Sequence, residues 1–328
     1  MAVLVTGVAG FIGSHIAMAL LARGEQVLGV DSLNDYYDVG LKEARLARLT
    51  GNRAFKFNRL DLAGGLALCE AVEAFGSVER VVHLAAQAGV RYSITHPEAY
   101  IHSNLLGHFA VLELCRGLKG FKHLVYASSS SVYGGNDKLP FSVMDSVDRP
   151  ISLYAATKKA DELMSHCYAH LYDLPMTGLR YFTVYGPWGR PDMAAYLFTR
   201  AILAGEPIRL FNNGDMKRDI TYVDDAVAGT IAALDRPAAR NGGVGAAPHR
   251  VYNIGNHRSE PLLRLVALIE AATGRKAVIE NAPMQPGDVR ETYADIEASQ
   301  RDLGFSPHTT IDEGIPKFIA WYRQYHGM

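Results

Sequence analysis

Ala2-Val3-Leu4-Val5-Thr6-Gly7-Val8-Ala9-Gly10-Phe11-Ile12-Gly13-Ser14-His15-Ile16 decides the fold of this chain. A short β-branched run ends at Thr6 and feeds directly into Gly7-x-x-Gly10-x-x-Gly13, after which Ile12, Ile16 and Leu20 keep helical spacing until Gly24 supplies the stop. Strand, glycine turn and helix N-terminus in that order aim backbone N–H groups and the positive helix end at a pyrophosphate. Gly7 allows the tight turn, Gly10 lets phosphates approach the backbone, and Gly13 lets helix and strand pack closely. A lone glycine pattern is weak evidence; its place between a predicted strand and a predicted helix gives it weight.

Working outward, similar apolar runs recur at residues 26–30, 54–58, 80–84, 123–127 and 176–180, separated by amphipathic segments. Two of those segments predict long helices over about 100–118 and 154–171. The alternation predicts an α/β protein with a Rossmann-type, doubly wound parallel sheet. After Arg180 the texture changes, with Pro187, Pro191, Pro207 and Gly214 punctuating shorter elements. The expected division is a dinucleotide-binding domain over 1–180 and a smaller C-terminal α/β domain over 181–328, with strand-like segments near 219–255 able to return to the first. Residues 236–248, rich in Ala, Gly and Pro, read as a solvated loop. Lys42, Glu43, Arg45 and Arg48 form a mixed charge run that reads as a solvated helix face.

Composition narrows the class. The chain has 328 residues, 48% hydrophobic and 20% charged, as ordinary globular enzymes do, and a net charge of −1 offers no overall positive field for nucleic acid or an anionic bilayer. Three scattered cysteines, Cys69, Cys115 and Cys167, fit free thiols in a reducing compartment, so a cytoplasmic protein is expected. Neither a basic region before the first apolar run nor a membrane-length apolar stretch of about eighteen residues occurs. No metal site is expected.

Asp31 ends the second predicted strand, eighteen residues after Gly13, where a carboxylate accepts from the adenosine ribose hydroxyls. Its charge repels a 2′-phosphate, so NAD is expected rather than NADP. Asp61, after the third strand, is either an acceptor at the adenine edge or a turn residue. The fifth strand runs into Ala127-Ser128-Ser129-Ser130-Ser131-Val132-Tyr133-Gly134 at the carboxyl edge of the sheet, where open α/β folds place ligands. Downstream, Tyr154 and Lys158 are four residues apart and share one helix face, which brings an ammonium within reach of a phenol. A nearby cation favours phenolate, the form that takes a proton.

With these three motifs the chain resembles the extended short-chain dehydrogenase/reductase family over nearly its whole length. The resemblance implies Tyr154 as proton acceptor, Lys158 on the nicotinamide ribose, and Ser129 on the reacting oxygen, with Ser130 and Ser131 as alternatives. It implies NAD contacts along the glycine loop at Phe11 and Ile12, at Leu62, Ala85, Gln87 and Tyr181, and at Asn104, whose other reading is a buried helix-capping role. The family's 4,6-dehydratases carry an Asp-Glu pair before the Val-Tyr-Gly that closes the serine motif, and its uronate decarboxylases carry a Glu there. Ser130 and Ser131 occupy those places in this chain.

The resemblance narrows at Tyr181-Phe182-Thr183-Val184-Tyr185-Gly186-Pro187-Trp188-Gly189-Arg190-Pro191-Asp192-Met193, at Asn34-Asp35-Tyr36-Tyr37-Asp38, and at Met284-Gln285-Pro286-Gly287-Asp288-Val289. These blocks are similar to those of UDP-glucuronate 4-epimerases. By that likeness Thr183 and Arg190 bind the sugar carboxylate, a natural task for a hydroxyl and a planar guanidinium, although Arg190 also reads as an exposed loop arginine. Arg91 is a second carboxylate candidate or a surface residue. Arg218 matches the diphosphate position and Asp288 the uridine ribose position, while Gln285 stands where several relatives place an arginine. The implied protein is a homodimeric isomerase acting on a UDP-uronic acid. A UDP-glucuronate decarboxylase, a neutral UDP-hexose 4-epimerase and a non-enzymatic NAD-sensing module are the competing readings.

Overall fold

The computed structural model describes residues 2–240, 246–285 and 287–328. Its strands are β1 (Ala2–Thr6), β2 (Gln26–Asp31), β3 (Phe55–Arg59), β4 (Arg80–His83), β5 (His123–Ser129), β6 (Met176–Tyr181), β7 (Thr183–Tyr185), β8 (Pro207–Phe211), β9 (Lys217–Tyr222), β10 (His249–Ile254), β11 (Ser259–Pro261) and β12 (Val278–Ala282). Seven of them form one parallel sheet in the order β10-β6-β5-β4-β1-β2-β3. The predicted α/β Rossmann-type sheet is therefore present, and each of the six expected strands lies within it.

Alternation along β1 explains why the sheet must be covered on both faces. Val3 and Val5 enter one hydrophobic cluster and Leu4 enters another, and every residue of the strand is buried. The order reverses beside β1, whose neighbours are β2 and β4. At such a switch point the connections leave in opposite directions and open a crevice at the carboxyl ends of the strands.

Residues 249–254 return to the main sheet, pairing β10 with β6 from Met176 to Tyr181. Strand β9 does not; it joins β7 and β11 in a three-stranded sheet, and β8 pairs with β12 in a two-stranded one. The helices predicted over 100–118 and 154–171 appear as a π-helical turn, Ile101–Leu106, continued by Gly107–Gly117, and as Leu153–Tyr172. Of the loop expected over 236–248, residues 241–245 lie outside the described residues, as does Pro286 of the third quoted block.

The charge run in the Val39–Thr50 helix is a correction. Lys42 and Arg45 are buried, Arg48 is half-buried, and Glu43 is exposed. Leu41, Arg45 and Leu49 are spaced by one helical repeat and all face inward, so the basic side chains are carried into the protein by the leucines that flank them.

Candidate active site

Gly7 adopts φ +70, and a Cβ there would sit 2.7 Å from the Ala85 nitrogen, so the glycine loop lies tight against the chain leaving β4. A Cβ on Gly13 would collide with the Gly7 carbonyl oxygen. The Phe11–Ala22 helix that follows has no side-chain cap at Gly10. Its first N–H groups are thus free for an anion. At the end of β2 the Asp31 carboxylate is fixed by the N–H groups of Ala9 (3.1 Å) and Leu33 (2.9 Å), which leaves lone pairs for ribose hydroxyls. Burial raises the Asp31 pKa, opposed by those N–H groups and by Lys42 and Arg45. An uncapped helix end, a cradle that a Cβ would fill and an oriented carboxylate together fit a dinucleotide.

The crevice is a cleft of about 910 Å³. Gly7, Gly10, Phe11, Ile12, Gly13 and Asp31 line its cofactor end, followed by Asp61, Leu62, Ala85, Gln87 and Tyr181. Asp61 has a structural task as well: its carboxylate accepts from the Ala63 N–H at 3.0 Å and pairs with His102 at 2.8 Å.

Asn104 is the first of two departures. It does not line the cleft but stands behind its wall, where its Oδ1 accepts from the Gln87 N–H (2.7 Å) and its Nδ2 donates to the Gln87 carbonyl (3.1 Å) and to Thr157 Oγ1 (3.0 Å). Its amide therefore braces Gln87 against the helix that carries Tyr154. Gln285 is the second, and it too lies outside the cleft lining.

Ser129, Ser130, Ser131, Tyr154 and Lys158 all line the same cleft. Ser129 ends β5 and its Oγ accepts from the Ser131 N–H at 3.1 Å, which caps the turn Ser130–Tyr133. Tyr154 sits in the first turn of its helix because Ser152 caps the N-terminus through the Ala155 N–H (3.1 Å). Its ring meets Tyr100 edge-on at 6.0 Å, and among the described residues its hydroxyl has no hydrogen-bond partner. Lys158 is placed differently from the simple helix-face expectation. Its ammonium donates to the Ala127 carbonyl (2.9 Å) and to the buried Asp161 carboxylate (3.0 Å) rather than to the phenol. Burial pushes Asp161 up to about 6, against the pull of Lys158. Asp161 Oδ1 has no partner among the described residues.

Thr183, at the start of β7, and Arg190 line the far side, with Arg91, Arg218 and Asp288 beyond them. Arg190 is not an exposed loop residue. Its Nε and Nη2 are taken by Asp192 (3.0 and 2.5 Å), which also accepts from the Tyr36 hydroxyl at 3.1 Å. Burial opposes the Arg190 charge, and Asp192 beside it more than restores it. Arg91 reaches Asp288 at 2.8 Å and lies over the Phe211 ring at 4.3 Å, so the two candidate substrate residues are paired across the cleft mouth. Arg218 is held by the Lys217 and Arg290 carbonyls (2.8 and 3.1 Å). Motif reading assigned no role to Tyr36, Asp161 or Asp192. Asp161 lies one helical turn beyond Lys158, a spacing that was a usable signal.

The chain is similar to known proteins in sequence and in fold. Protein CapI of Staphylococcus aureus is 50% identical over 335 aligned positions, covering 99% of this chain and 99% of that one. UDP-glucuronate 4-epimerase 3 of Arabidopsis thaliana is 47% identical over 333 positions, covering 99% of this chain and 77% of that one. The crystal structure of UDP-glucuronic acid 4-epimerase from Bacillus cereus in complex with UDP-glucuronic acid and NAD superposes with a TM-score of 0.89 at 33% identity, covering 99% of this chain and 100% of that one. The model of the NAD dependent epimerase/dehydratase family matches residues 3–255, and with the glycine loop and the Tyr154–Lys158 helix facing one cleft, the chain belongs to that family.

Proposed function

We propose that the protein interconverts UDP-glucuronate and UDP-galacturonate by inverting C4 of the sugar, with NAD as cofactor. The supporting observation is that Tyr154, Ser129 and the glycine loop open on one cleft with Thr183 and Arg190, while Ser130 and Ser131 stand where elimination needs a carboxylic acid. Relatives named as UDP-glucuronate 4-epimerases, at 45% to 47% identity, support the same substrate.

NAD, when bound, takes up a hydride at its nicotinamide ring and gives it back. Tyr154 removes the proton of the C4 hydroxyl and later returns one to the same oxygen, after the keto sugar has turned about its diphosphate linkage. Ser129 donates a hydrogen bond to that oxygen. Asp31 accepts from the adenosine ribose, and Lys158 serves the nicotinamide ribose. Arg218 holds the diphosphate and Asp288 the uridine ribose.

The keto sugar carries its carboxylate β to the carbonyl, so carbon dioxide leaves easily once the C5–C6 bond aligns with the carbonyl π system. Thr183 and Arg190 prevent that alignment by fixing the carboxylate while the ring turns, an argument of orientation rather than charge. Residues 1–180, with Tyr181 and β10, serve the cofactor, and the rest of 181–328 serves the nucleotide sugar. The setting is a reducing cytoplasm, in keeping with three unpaired thiols.

A homodimer joins through the Gly107–Gly117 and Leu153–Tyr172 helices, whose outer faces expose Phe109, Leu163 and Leu171. No described helix is long and apolar enough to cross a membrane.

Purified protein given UDP-glucuronate and no added cofactor tests the assignment, with the sugar identified by NMR. UDP-galacturonate without net consumption of NAD is expected. A UDP-pentose as main product would make the protein a decarboxylase, equal turnover of UDP-glucose a neutral hexose epimerase, and no turnover of either a binding module.

A further inference from the structure

Among the described residues Arg45 is the largest side chain with essentially no exposure, and it has no carboxylate within ion-pair distance. A buried charge is tolerated only where its hydrogen-bonding capacity is filled. Here five hydrogen bonds match the five N–H donors of the guanidinium. Nε and Nη2 donate to the Trp188 carbonyl at 3.0 and 2.7 Å, and Nη2 donates also to the Gly189 carbonyl at 3.1 Å. Nη1 donates to the Ala9 carbonyl at 3.1 Å and to the Tyr37 hydroxyl at 2.7 Å.

The acceptors belong to three segments that the site uses for different purposes. Ala9 lies in the glycine loop, Tyr37 in the loop that leaves β2 after Asp31, and Trp188 and Gly189 in the turn that immediately precedes Arg190. That turn is held in an unfavourable shape. Trp188 has φ +65, a left-handed conformation that a bulky residue keeps only when its surroundings impose it. Arg45 fixes its carbonyl from one side, and Arg48 lies over its ring at 4.7 Å from the same helix. A second link runs parallel, from Tyr36 through Asp192 to Arg190.

We propose that Arg45 is a positioning residue that ties the cofactor loop to the Trp188–Gly189 turn and so sets the direction in which Arg190 meets the substrate carboxylate. It is not part of the cleft lining, so it acts through the segments it holds. The inference rests on the assignment of Arg190 to the uronate carboxylate made above. Its consequence is that sugar selection depends on a side chain anchored in the nucleotide half, so a shift of the glycine loop is felt at the sugar end.

The test uses the full-length, NAD-loaded protein and the variants Arg45→Lys, Tyr37→Phe, Arg190→His and the double Arg45→Lys/Arg190→His. Kinetics on UDP-glucuronate, the share of UDP-pentose side product, and calorimetric affinity for UDP-glucuronate are read for each. Lysine keeps the charge but not the fork. Arg45→Lys is expected to raise KM and weaken affinity on the order of ten-fold, with a smaller change in kcat and a larger pentose share. In the Arg190→His background it should add nothing further to any of the three readouts, because it acts through Arg190.

Should Arg45→Lys fail to fold, Tyr37→Phe, which removes one acceptor, is expected to shift KM and pentose share in the same direction by a smaller factor. Unchanged values in that variant would then overturn the proposal. Losses that multiply in the double variant, as a purely structural role requires, overturn it as well. A silent Arg190→His variant is a separate outcome: it removes the assignment of Arg190 itself and takes this inference with it, whereas an altered Arg190→His variant with an independent Arg45 effect removes this inference alone.

Discussion

Tyr154 presents a phenol with no hydrogen-bond partner among the described residues to a cleft that also holds the glycine loop, so its hydroxyl is free to exchange a proton with a ligand. Removing only that oxygen in Tyr154→Phe is expected to lower kcat by about a thousand-fold, the range typical of a positioned acid-base group. Affinity for UDP-glucuronate, measured by calorimetry, should stay close to wild type. A variant that binds and turns over normally would remove Tyr154 from the chemistry. Lys158 shows how far residue-level reasoning carries. Spacing put it on the Tyr154 face, and the structure keeps both in one cleft, but Ala127 and Asp161 hold its ammonium. A side chain with four rotatable bonds goes to the best acceptors within reach, and sequence spacing alone does not rank them.

At the scale of elements, the strand-turn-helix unit at the N-terminus leaves no room for a methyl group at Gly13. Gly13→Ala places a methyl group against the Gly7 carbonyl and forces the helix away from β1, so the first-turn N–H groups no longer converge. The variant is expected to purify with markedly less NAD than wild type, read from absorbance after denaturation, while keeping wild-type far-ultraviolet circular dichroism. Full NAD content would show that the close approach is unnecessary. The Val39–Thr50 helix teaches the opposite lesson about legibility. Its lysine and arginines resemble a solvated face by composition, but Arg45 stands four residues from both Leu41 and Leu49, and that periodicity pointed inward. Position on the helix outranked residue type, because the leucines bury a stripe and whatever shares the stripe is buried with it.

For the molecule as a whole, Phe109 (47% exposed), Leu163 (58%) and Leu171 (61%) leave apolar surface on two neighbouring helices that a second copy would cover. Sedimentation of the wild type should give a dimer, and Phe109→Glu with Leu163→Glu should give a monomer of unchanged secondary structure. A wild-type monomer would leave those side chains as isolated surface residues. The local patterns in the chain determined the parallel sheet, the glycine loop, the serine strand end and the Tyr154 helix, since each depends on periodicity or turn chemistry within a few neighbouring residues. Only the tertiary structure decided which acceptors the Arg45 guanidinium meets, that Asp192 and Tyr36 hold Arg190, and that Asn104 stands behind the cleft wall. Whether a charged or polar group can be buried depends on acceptors delivered by distant segments, such as the Trp188 carbonyl 143 positions from Arg45, and no local pattern encodes that meeting.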